Sequence, residues 1–313
     1  ISWHNPGTQD RDLDMEAYRR LGAMAALEAV TAITGARSVH AVGYCLGGTL
    51  LAIAAAAMAR DGDGRLVSVT LLAAQTEFSD PGELGLFIDE AQLNLIESMM
   101  WSRGYLDSRQ MGGAFQLLRS NDLVWSRILS DYLMGEREPM TDLMAWNADG
   151  TRMPYAMHSQ YLRRLFLGDE LAEGKYKVDG KPVTLAAIRA PFFVVGTERD
   201  HVAPWHSVHK IHGLTGAEIT FVLTSGGHNA GIVSEPGHKG RRYRVLTREA
   251  DAPSHDPQEW QLHAAQKPGS WWIEWGEWLG ARSGEPVAPP PIGNSGRGYP
   301  SIGDAPGLYV LER

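Results

Sequence analysis

The stretch Gly43-Tyr44-Cys45-Leu46-Gly47-Gly48 separates a short apolar segment from a long one rich in alanine. Residues 38–42 (SVHAV) predict a short buried strand, and residues 49–59 (TLLAIAAAAMA) predict a helix. A nucleophile on a sharp strand-to-helix turn has a strained backbone, and residues two positions away must lack Cβ so that strand and helix can approach. We therefore interpret Cys45 as a nucleophile, with Gly43 and Gly47 as the residues that permit the turn.

The order strand, Gly-x-nucleophile-x-Gly, helix is that of the nucleophile elbow of the α/β-hydrolase fold. A cysteine in the place of the more usual serine favours acyl transfer through a thioester. Further buried strands are predicted at 66–73, 190–196 and 217–224, with helices between them, as in a parallel sheet covered on both faces. We therefore predict fold class α/β, an α/β-hydrolase fold with a mostly parallel sheet.

A helical insertion is predicted after the strand at 66–73. No parallel-sheet strand is recognisable from 75 to 176, and helices are predicted over 81–100, 108–118, 121–134, 139–146 and 154–168. We interpret 75–176 as a cap inserted into a core made of 1–74 and 177–313. The Met, Trp, Tyr and Leu residues of the cap could form its own core and its contact with the base domain, or a hydrophobic lid over an acyl-binding site.

Composition excludes several classes of protein. Hydrophobic residues at 43% and charged residues at 21% are ordinary for a globular domain, and the net charge of −8 argues against nucleic-acid binding. No apolar run reaches the roughly 18 residues of a transmembrane helix, and no secretory signal is recognisable. The single cysteine excludes an internal disulfide or a zinc site of thiolate type. We expect a cytoplasmic protein without metal or cofactor.

The chain opens with Ile1-Ser2-Trp3, without an initiator Met, in what reads as the end of a strand. We therefore expect that an N-terminal part, including the first strands, is missing. The second oxyanion donor of this fold normally comes from a loop after an earlier strand. We expect that donor to lie outside this chain.

Three residues complete the expected order of nucleophile, acid and histidine. Asp200 follows the strand at 190–196, His228 follows the strand that ends at 224, and the carboxyl ends of parallel strands meet at one edge of a sheet. His228 can accept the thiol proton of Cys45, and Asp200 can hold the imidazole in one tautomer. The helix N-terminus favours the thiolate, and the backbone N–H of Leu46 is expected to point at the oxyanion.

Each of these residues has an alternative interpretation. Cys45 could be an inert core thiol, and Asp200 could be a helix N-cap. His201 competes with its neighbours as a functional residue, while the remaining histidines show no spacing typical of a metal site. Trp271, Trp275 and Trp278 share one face of a predicted helix, a stripe more typical of a core than of a ligand site.

Seven motifs together resemble the polyhydroxyalkanoate synthases, bacterial polyester polymerases with a cysteine in the elbow. They occur in family order over almost the whole chain, and ISWHNP at its start resembles the family's segment upstream of the elbow. The motifs are GYCLGGT at 43–49, SNDLVW at 120–125, Trp146-Asn147, ERDHVAPW at 198–205, SGGHNAGIV at 225–233, GSWWIEW at 269–275 and the ending APGLYVLER.

The resemblance implies an acyltransferase with the catalytic triad Cys45, Asp200 and His228. It implies (R)-3-hydroxyacyl-coenzyme A and a growing polyester chain as partners, with coenzyme A as part of the substrate rather than a cofactor. It also implies a cytoplasmic location on polymer granules and a homodimer formed through the cap. In this chemistry Cys45 attacks the thioester, and His228 or Asp200 deprotonates the incoming 3-hydroxyl.

Two other functions share these features. A Cys-type α/β-hydrolase or thioesterase would have the same triad and would admit water to the acyl-enzyme. A non-catalytic binding or granule-structural protein could have kept the fold, although the presence of all three triad residues argues against it.

Overall fold

The computed structural model describes residues 1–106, 128–135 and 139–311. The predicted helix at 108–118 and the motif at 120–125 lie outside these residues. The chain forms two compact units, the first made of Ile1–Asp14, Asp89–Gln160 and Ile302–Arg313, the second of Met15–Ile88 and Tyr161–Ser301. The cap boundaries at 75 and 176 stay a prediction.

The second unit contains all the strands of the described chain. They are β1 Val39–Tyr44, β2 Leu66–Leu72, β3 Lys177–Val178, β4 Lys181–Pro182, β5 Phe192–Thr197, β6 Ile219–Thr224, β7 Arg242–Arg248 and β8 Ala265–Pro268. Six of them form one sheet in the order β1-β2-β5-β6-β7-β8, and β3 pairs with β4. The first four strands of the large sheet are parallel, whereas β7 and β8 are antiparallel. The predicted mostly parallel sheet is confirmed.

The helices fall in both units. They are α1, which runs from Met15–Ala17 through a π-helical stretch at Tyr18–Met24 into Ala25–Thr34, α2 Leu46–Asp61, α3 Glu90–Trp101, α4 Asp142–Ala148, α5 Tyr155–Gln160, α6 Trp205–His209, α7 Pro257–His263 and α8 Trp272–Gly280. A π-helical turn, Tyr161–Leu167, continues α5, and another covers Ile128–Leu133. The first unit contains α3, α4 and α5.

Two features differ from the sequence-based expectation. Residues 1–7 are irregular instead of forming the end of a strand. The strands β7 and β8 were not predicted, because only Tyr243 of β7 is fully buried and all four residues of β8 are exposed. Neither strand therefore carries the apolar pattern that identified the parallel ones.

The α2 helix is buried because of its small side chains. Ala52 to Met58 are all at most 5% exposed, which explains the long apolar run as packing inside the second unit. Gly62 ends the helix in the left-handed conformation at φ 76°. None of the described helices has both the length and the apolar character needed to cross a membrane.

One face of the sheet packs against α8. The rings of Trp271 and Trp278 lie 6.3 and 5.3 Å from the ring of Phe193, in a cluster with Val195 and Val222. Trp275 packs against the same cluster while half-buried. The interpretation of the tryptophan stripe as core is confirmed.

The opposite face holds two buried histidines. The rings of His209 and His212 lie 4.4 Å apart, and both pack against Phe221. Nε2 of His209 and both ring nitrogens of His212 lack a hydrogen-bond partner within the described chain. Burial, reinforced by neighbouring positive charge, lowers the pKa of His209 to about 4 and that of His212 to about 3.

These histidines predict a loss of stability in mild acid. Their folded-state pKa values lie below the ordinary value of 6.5, so the stabilisation is complete above pH 6.5 and is lost as pH falls toward the folded values. Linkage gives a loss of about 2 kcal/mol for each histidine at about pH 5. We expect urea unfolding between pH 7.5 and 5 to show a smaller loss in His212→Phe than in the unsubstituted chain. The exposed His238→Phe serves as control, and equal losses in all three proteins would contradict the assignment.

Candidate active site

Cys45 lies between β1 and α2 in a strained conformation. Its φ of 52° and ψ of −125° are unusual for a residue with a side chain, as expected of a nucleophile elbow. The sheet holds it there, because its N–H donates to the carbonyl oxygen of Leu72 at 2.9 Å. Its own carbonyl oxygen accepts from the N–H groups of Gly48 and Thr49 at 2.9 and 3.2 Å.

The close approach at the elbow is between Gly43 and Gly48. A Cβ on Gly43 would lie 2.5 Å from the Cα of Gly48, and one on Gly48 would overlap the Cβ of Ala74. A Cβ on Gly47 would meet no atom within 4 Å. The expectation for Gly43 is confirmed, and that for Gly47 is wrong, because the helix turns its position toward open space. Gly48, one residue later, faces the strand.

The three predicted site residues come together at the carboxyl edge of the sheet. Nδ1 of His228 lies 2.8 Å from Oδ2 of Asp200, and the His228 side chain also hydrogen-bonds Cys45. It is therefore His228, and not the neighbouring candidate His201, that links the carboxylate to the thiol. The arrangement of nucleophile, imidazole and buried carboxylate is the one that acyl transfer requires.

Asp200 is fully enclosed by its own loop. Its side chain has no exposed surface, and Oδ1 accepts from the N–H groups of Val202 and Ala203, both at 2.9 Å. Oδ2 accepts from Thr197 Oγ1 at 3.1 Å as well as from His228. Asp200 does not cap α6, whose N-cap is Pro204. Its hydrogen bonds instead fix the carboxylate as a partner for the imidazole.

The imidazole of His228 is held in its charged form. Burial alone lowers the pKa of His228, but hydrogen bonds to Asp200 and Cys45 and the negative charges of both raise it to about 10. The proton therefore resides on the imidazole when the thiol is ionised. The raised pKa of His228 favours transfer of the thiol proton to the imidazole, and the carboxylate of Asp200 stabilises the charge that results.

Tyr44, the residue before the nucleophile, fastens the loop that carries His228. Its hydroxyl donates to Asn229 Oδ1 and lies 3.3 Å from the carbonyl oxygen of His228. The two rings lie 5.2 Å apart. Burial and the neighbouring charges of Cys45 and Asp200 raise the pKa of Tyr44. The phenol therefore stays protonated and acts as a hydrogen-bond donor. Sequence reasoning missed this role, because only the fold brings Tyr44 to residue 228.

The tryptophans of α8 hold the other end of the same loop. The indole N–H of Trp271 donates to the carbonyl oxygen of Gly231 at 3.0 Å, and that of Trp272 to Ile232 at 2.9 Å. A stripe read from the sequence as core thus also positions the histidine loop. Buried indole N–H groups need acceptors, and the loop carbonyls supply them.

Two further groups bear on the reacting centre. Leu46 is the first residue of α2, where N–H groups have no acceptor within the helix, as the predicted oxyanion donor requires. Burial and the charge of Cys45 raise the pKa of Tyr161, so this phenol keeps its proton. Among the described residues, no cluster of His, Cys, Asp or Glu could hold a metal ion.

The elbow geometry predicts opposite effects for two adjacent glycines. Gly48→Ala should reduce the free energy of unfolding by about 2 kcal/mol, because the added methyl overlaps Ala74. Gly47→Ala should raise it by about 0.5–1 kcal/mol, since open helical positions favour Ala. Urea unfolding measures both, and equal effects would contradict the placement of the contact.

The Tyr44 contacts predict a change in the reactivity of Cys45, which is the only cysteine in the sequence. Tyr44→Phe keeps the ring and removes a hydrogen bond worth about 1 kcal/mol, so alkylation of Cys45 near pH 7 should slow about 5-fold. Iodoacetamide rates from pH 5 to 9 test this, with Tyr243→Phe, which loses a hydrogen bond to Glu274, as control. A pH profile unchanged by Tyr44→Phe would exclude a positioning role for the hydroxyl.

The chain is similar in sequence to a known family of proteins. A family model described as the alpha/beta hydrolase fold matches residues 3–235. The chain is 40% identical to a poly(3-hydroxyalkanoate) polymerase of Methylorubrum extorquens over 99% of its own length and 50% of the relative's. It is 38% identical to a poly(3-hydroxyalkanoate) polymerase subunit of Rhizobium meliloti, covering 100% of this chain and 50% of that one. The corresponding Cupriavidus necator subunit is 34% identical, covering 100% and 53%.

The chain spans about half the length of the curated relatives it matches. The similarity to them extends across both compact units, which confirms the resemblance given by the motifs. The match of the family model to more than half of the chain agrees with the sheet, the elbow and the strand-end loops described above. The chain therefore belongs to the α/β-hydrolase fold family.

Proposed function

We propose that this chain is the catalytic part of a polyhydroxyalkanoate synthase, which polymerises (R)-3-hydroxyacyl-coenzyme A and releases coenzyme A. The observation that carries the proposal is the hydrogen-bonded set of Cys45, His228 and Asp200 at a nucleophile elbow. It occurs in a chain whose relatives are named poly(3-hydroxyalkanoate) polymerases. A thiol nucleophile suits this activity, because exchange between two thioesters is close to neutral in energy.

The first half-reaction forms an acyl-Cys45. The thiolate attacks the carbonyl carbon of the substrate thioester, and the backbone N–H of Leu46 stabilises the resulting oxyanion. The carbon–sulfur bond to coenzyme A then breaks, and His228 gives its proton to the leaving thiolate. The products are free coenzyme A, an acyl group on Cys45 and a neutral imidazole.

The second half-reaction extends the polyester. Part of the raised pKa of His228 comes from the charge of Cys45, and acylation removes that charge. The neutral imidazole can therefore accept the proton of an incoming 3-hydroxyl, whose oxygen attacks the acyl-Cys45 carbonyl. The new ester forms as the carbon–sulfur bond breaks, and the thiolate–imidazolium pair returns.

We assign the hydroxyl proton to His228 rather than to Asp200. The Asp200 side chain is fully enclosed, and both its oxygens already accept hydrogen bonds. Oδ1 accepts from two N–H groups of the same loop, and Oδ2 accepts from Thr197. A substrate hydroxyl would have to displace one of these bonds to reach the carboxylate. Asp200 acts instead by stabilising the imidazolium.

We also propose a homodimer formed through the cap and a cytoplasmic location on polymer granules. Large apolar side chains exposed within the predicted cap support an apolar contact surface. They include Leu95, Trp101, Tyr132, Leu133, Met134, Met140 and Trp146. A second copy and a polyester surface would both cover such side chains.

The function is tested by supplying 3-hydroxybutyryl-coenzyme A to the purified protein. We expect thiol release together with insoluble polyester, and a loss of about 1,000-fold or more in both with Cys45→Ala or His228→Ala, as for other nucleophile–base pairs. The exposed His263→Ala is the matched control and should keep both activities.

Two outcomes would contradict the proposal. Release of 3-hydroxybutyrate without polymer would identify a thioesterase. Unchanged thiol release in Cys45→Ala would show that the elbow is not the reacting centre.

A further inference from the structure

A pocket of about 310 Å³ opens on the second unit beside the loops that carry the triad. It lies where β5 and β6 end and β7 begins. Asp200 immediately follows one lining residue, and His228 lies two residues beyond another. The lining side chains and backbone come chiefly from Glu198, Arg199, Ser225, Gly226, Arg241 and Arg242.

The pocket carries more positive charge than its one carboxylate neutralises. Of its three arginines, Arg242 pairs with Glu198 at 2.8 Å. The guanidinium of Arg241 donates to the carbonyl oxygen of Ser225 at 3.4 Å, and its buried Nε has no partner within the described chain. Arg199 is exposed and makes no side-chain hydrogen bond or ion pair with the described residues. Two guanidinium groups therefore face the pocket without an acidic partner.

Several arginines elsewhere in this acidic chain are paired with carboxylates. With a net charge of −8, carboxylates are abundant, and Arg19, Arg65, Arg164 and Arg282 each lie within 3 Å of one. Gly226, at φ 115°, admits the Arg241 guanidinium, because a Cβ there would lie 2.9 Å from Nη1. Guanidinium groups unpaired in this way bind phosphate oxygens through parallel N–H···O bonds.

We propose that the pocket binds a phosphate group of the coenzyme A part of the substrate, an inference that rests on the proposed function. Coenzyme A carries its phosphates at the far end of the pantetheine arm from the thioester. The pocket lies outside the triad but on the same loops, so it can anchor that end while Cys45 meets the thioester. Binding energy from this non-reacting part of the substrate is then available to orient the thioester at Cys45.

The kinetic test compares two thioesters of 3-hydroxybutyrate, one with coenzyme A and one with N-acetylcysteamine, which has no phosphate. For Arg199→Gln and Arg241→Gln we expect kcat/KM to fall about 10-fold with the coenzyme A thioester, a typical effect of losing a charged hydrogen bond. With the N-acetylcysteamine thioester we expect no change. Arg37→Gln removes an exposed arginine that precedes β1, at the opposite edge of the sheet, and should alter neither rate.

Equal losses with both thioesters, or no loss with either, would overturn the pocket assignment.

If the unsubstituted protein releases thiol from neither thioester, the proposed function fails, and calorimetry with coenzyme A still tests the pocket. There, weaker binding by Arg199→Gln and tighter binding by Glu198→Gln support the site, whereas unchanged affinities contradict it. Dephospho-coenzyme A identifies the group, because its binding loses the sensitivity to Arg199→Gln only if the 3′-phosphate is the one held.

Discussion

The site depends on one backbone constraint, the positive φ of Cys45 between β1 and α2. A side chain in this conformation costs about 1–3 kcal/mol, and the surrounding structure must hold it. The holding contact is the hydrogen bond from the Cys45 N–H to Leu72, which extends the parallel pairing of β1 with β2 by one residue. On the other side, the contact of Gly43 with Gly48 sets how closely α2 approaches the strand. The nucleophile is thus placed by the sheet itself rather than by a flexible loop.

The acid and the base are fixed by a second set of contacts that are mostly to backbone atoms. Asp200 is held by N–H groups of its own loop, and the His228 loop is tied at one end by Tyr44 and at the other by the indoles of α8. These ties come from elements far apart in sequence. Each restrains a different part of the loop backbone, and the hydrogen bond to Asp200 orients the imidazole itself.

Much of this could be predicted from the sequence, because the elbow and the two strand-end loops follow buried parallel strands with continuous apolar runs. That reasoning selects Cys45, Asp200 and His228, and the structure brings them together.

The antiparallel strand β7 was missed for a physical reason. Its arginines act as structural donors, with Arg244 bonding two carbonyl oxygens near α7 and Arg248 three near β6. The sequence of a strand whose charged side chains hydrogen-bond to backbone carbonyls resembles that of a surface loop. The roles of Tyr44 and Gly48 were likewise hidden, since each depends on a neighbour that only the folded chain supplies.

In the reaction proposed above, the electrostatics of the site connect the two half-reactions. Hydrogen bonds to Asp200 and Cys45 and the negative charge of both groups raise the pKa of His228, and together they outweigh the burial that lowers it. When Cys45 becomes acylated, one of the two negative partners disappears while burial remains. The imidazole is then a stronger acid than before, so it readily delivers its proton to the departing thiolate and becomes free to act as a base. The next hydroxyl reverses the change, because its attack regenerates the thiolate and with it the affinity of His228 for the proton. Water could use the same imidazole in the same way. The triad alone therefore does not separate a polymerase from a thioesterase, and that choice lies with the surfaces that decide whether a hydroxyacyl group or water reaches the acyl-Cys45.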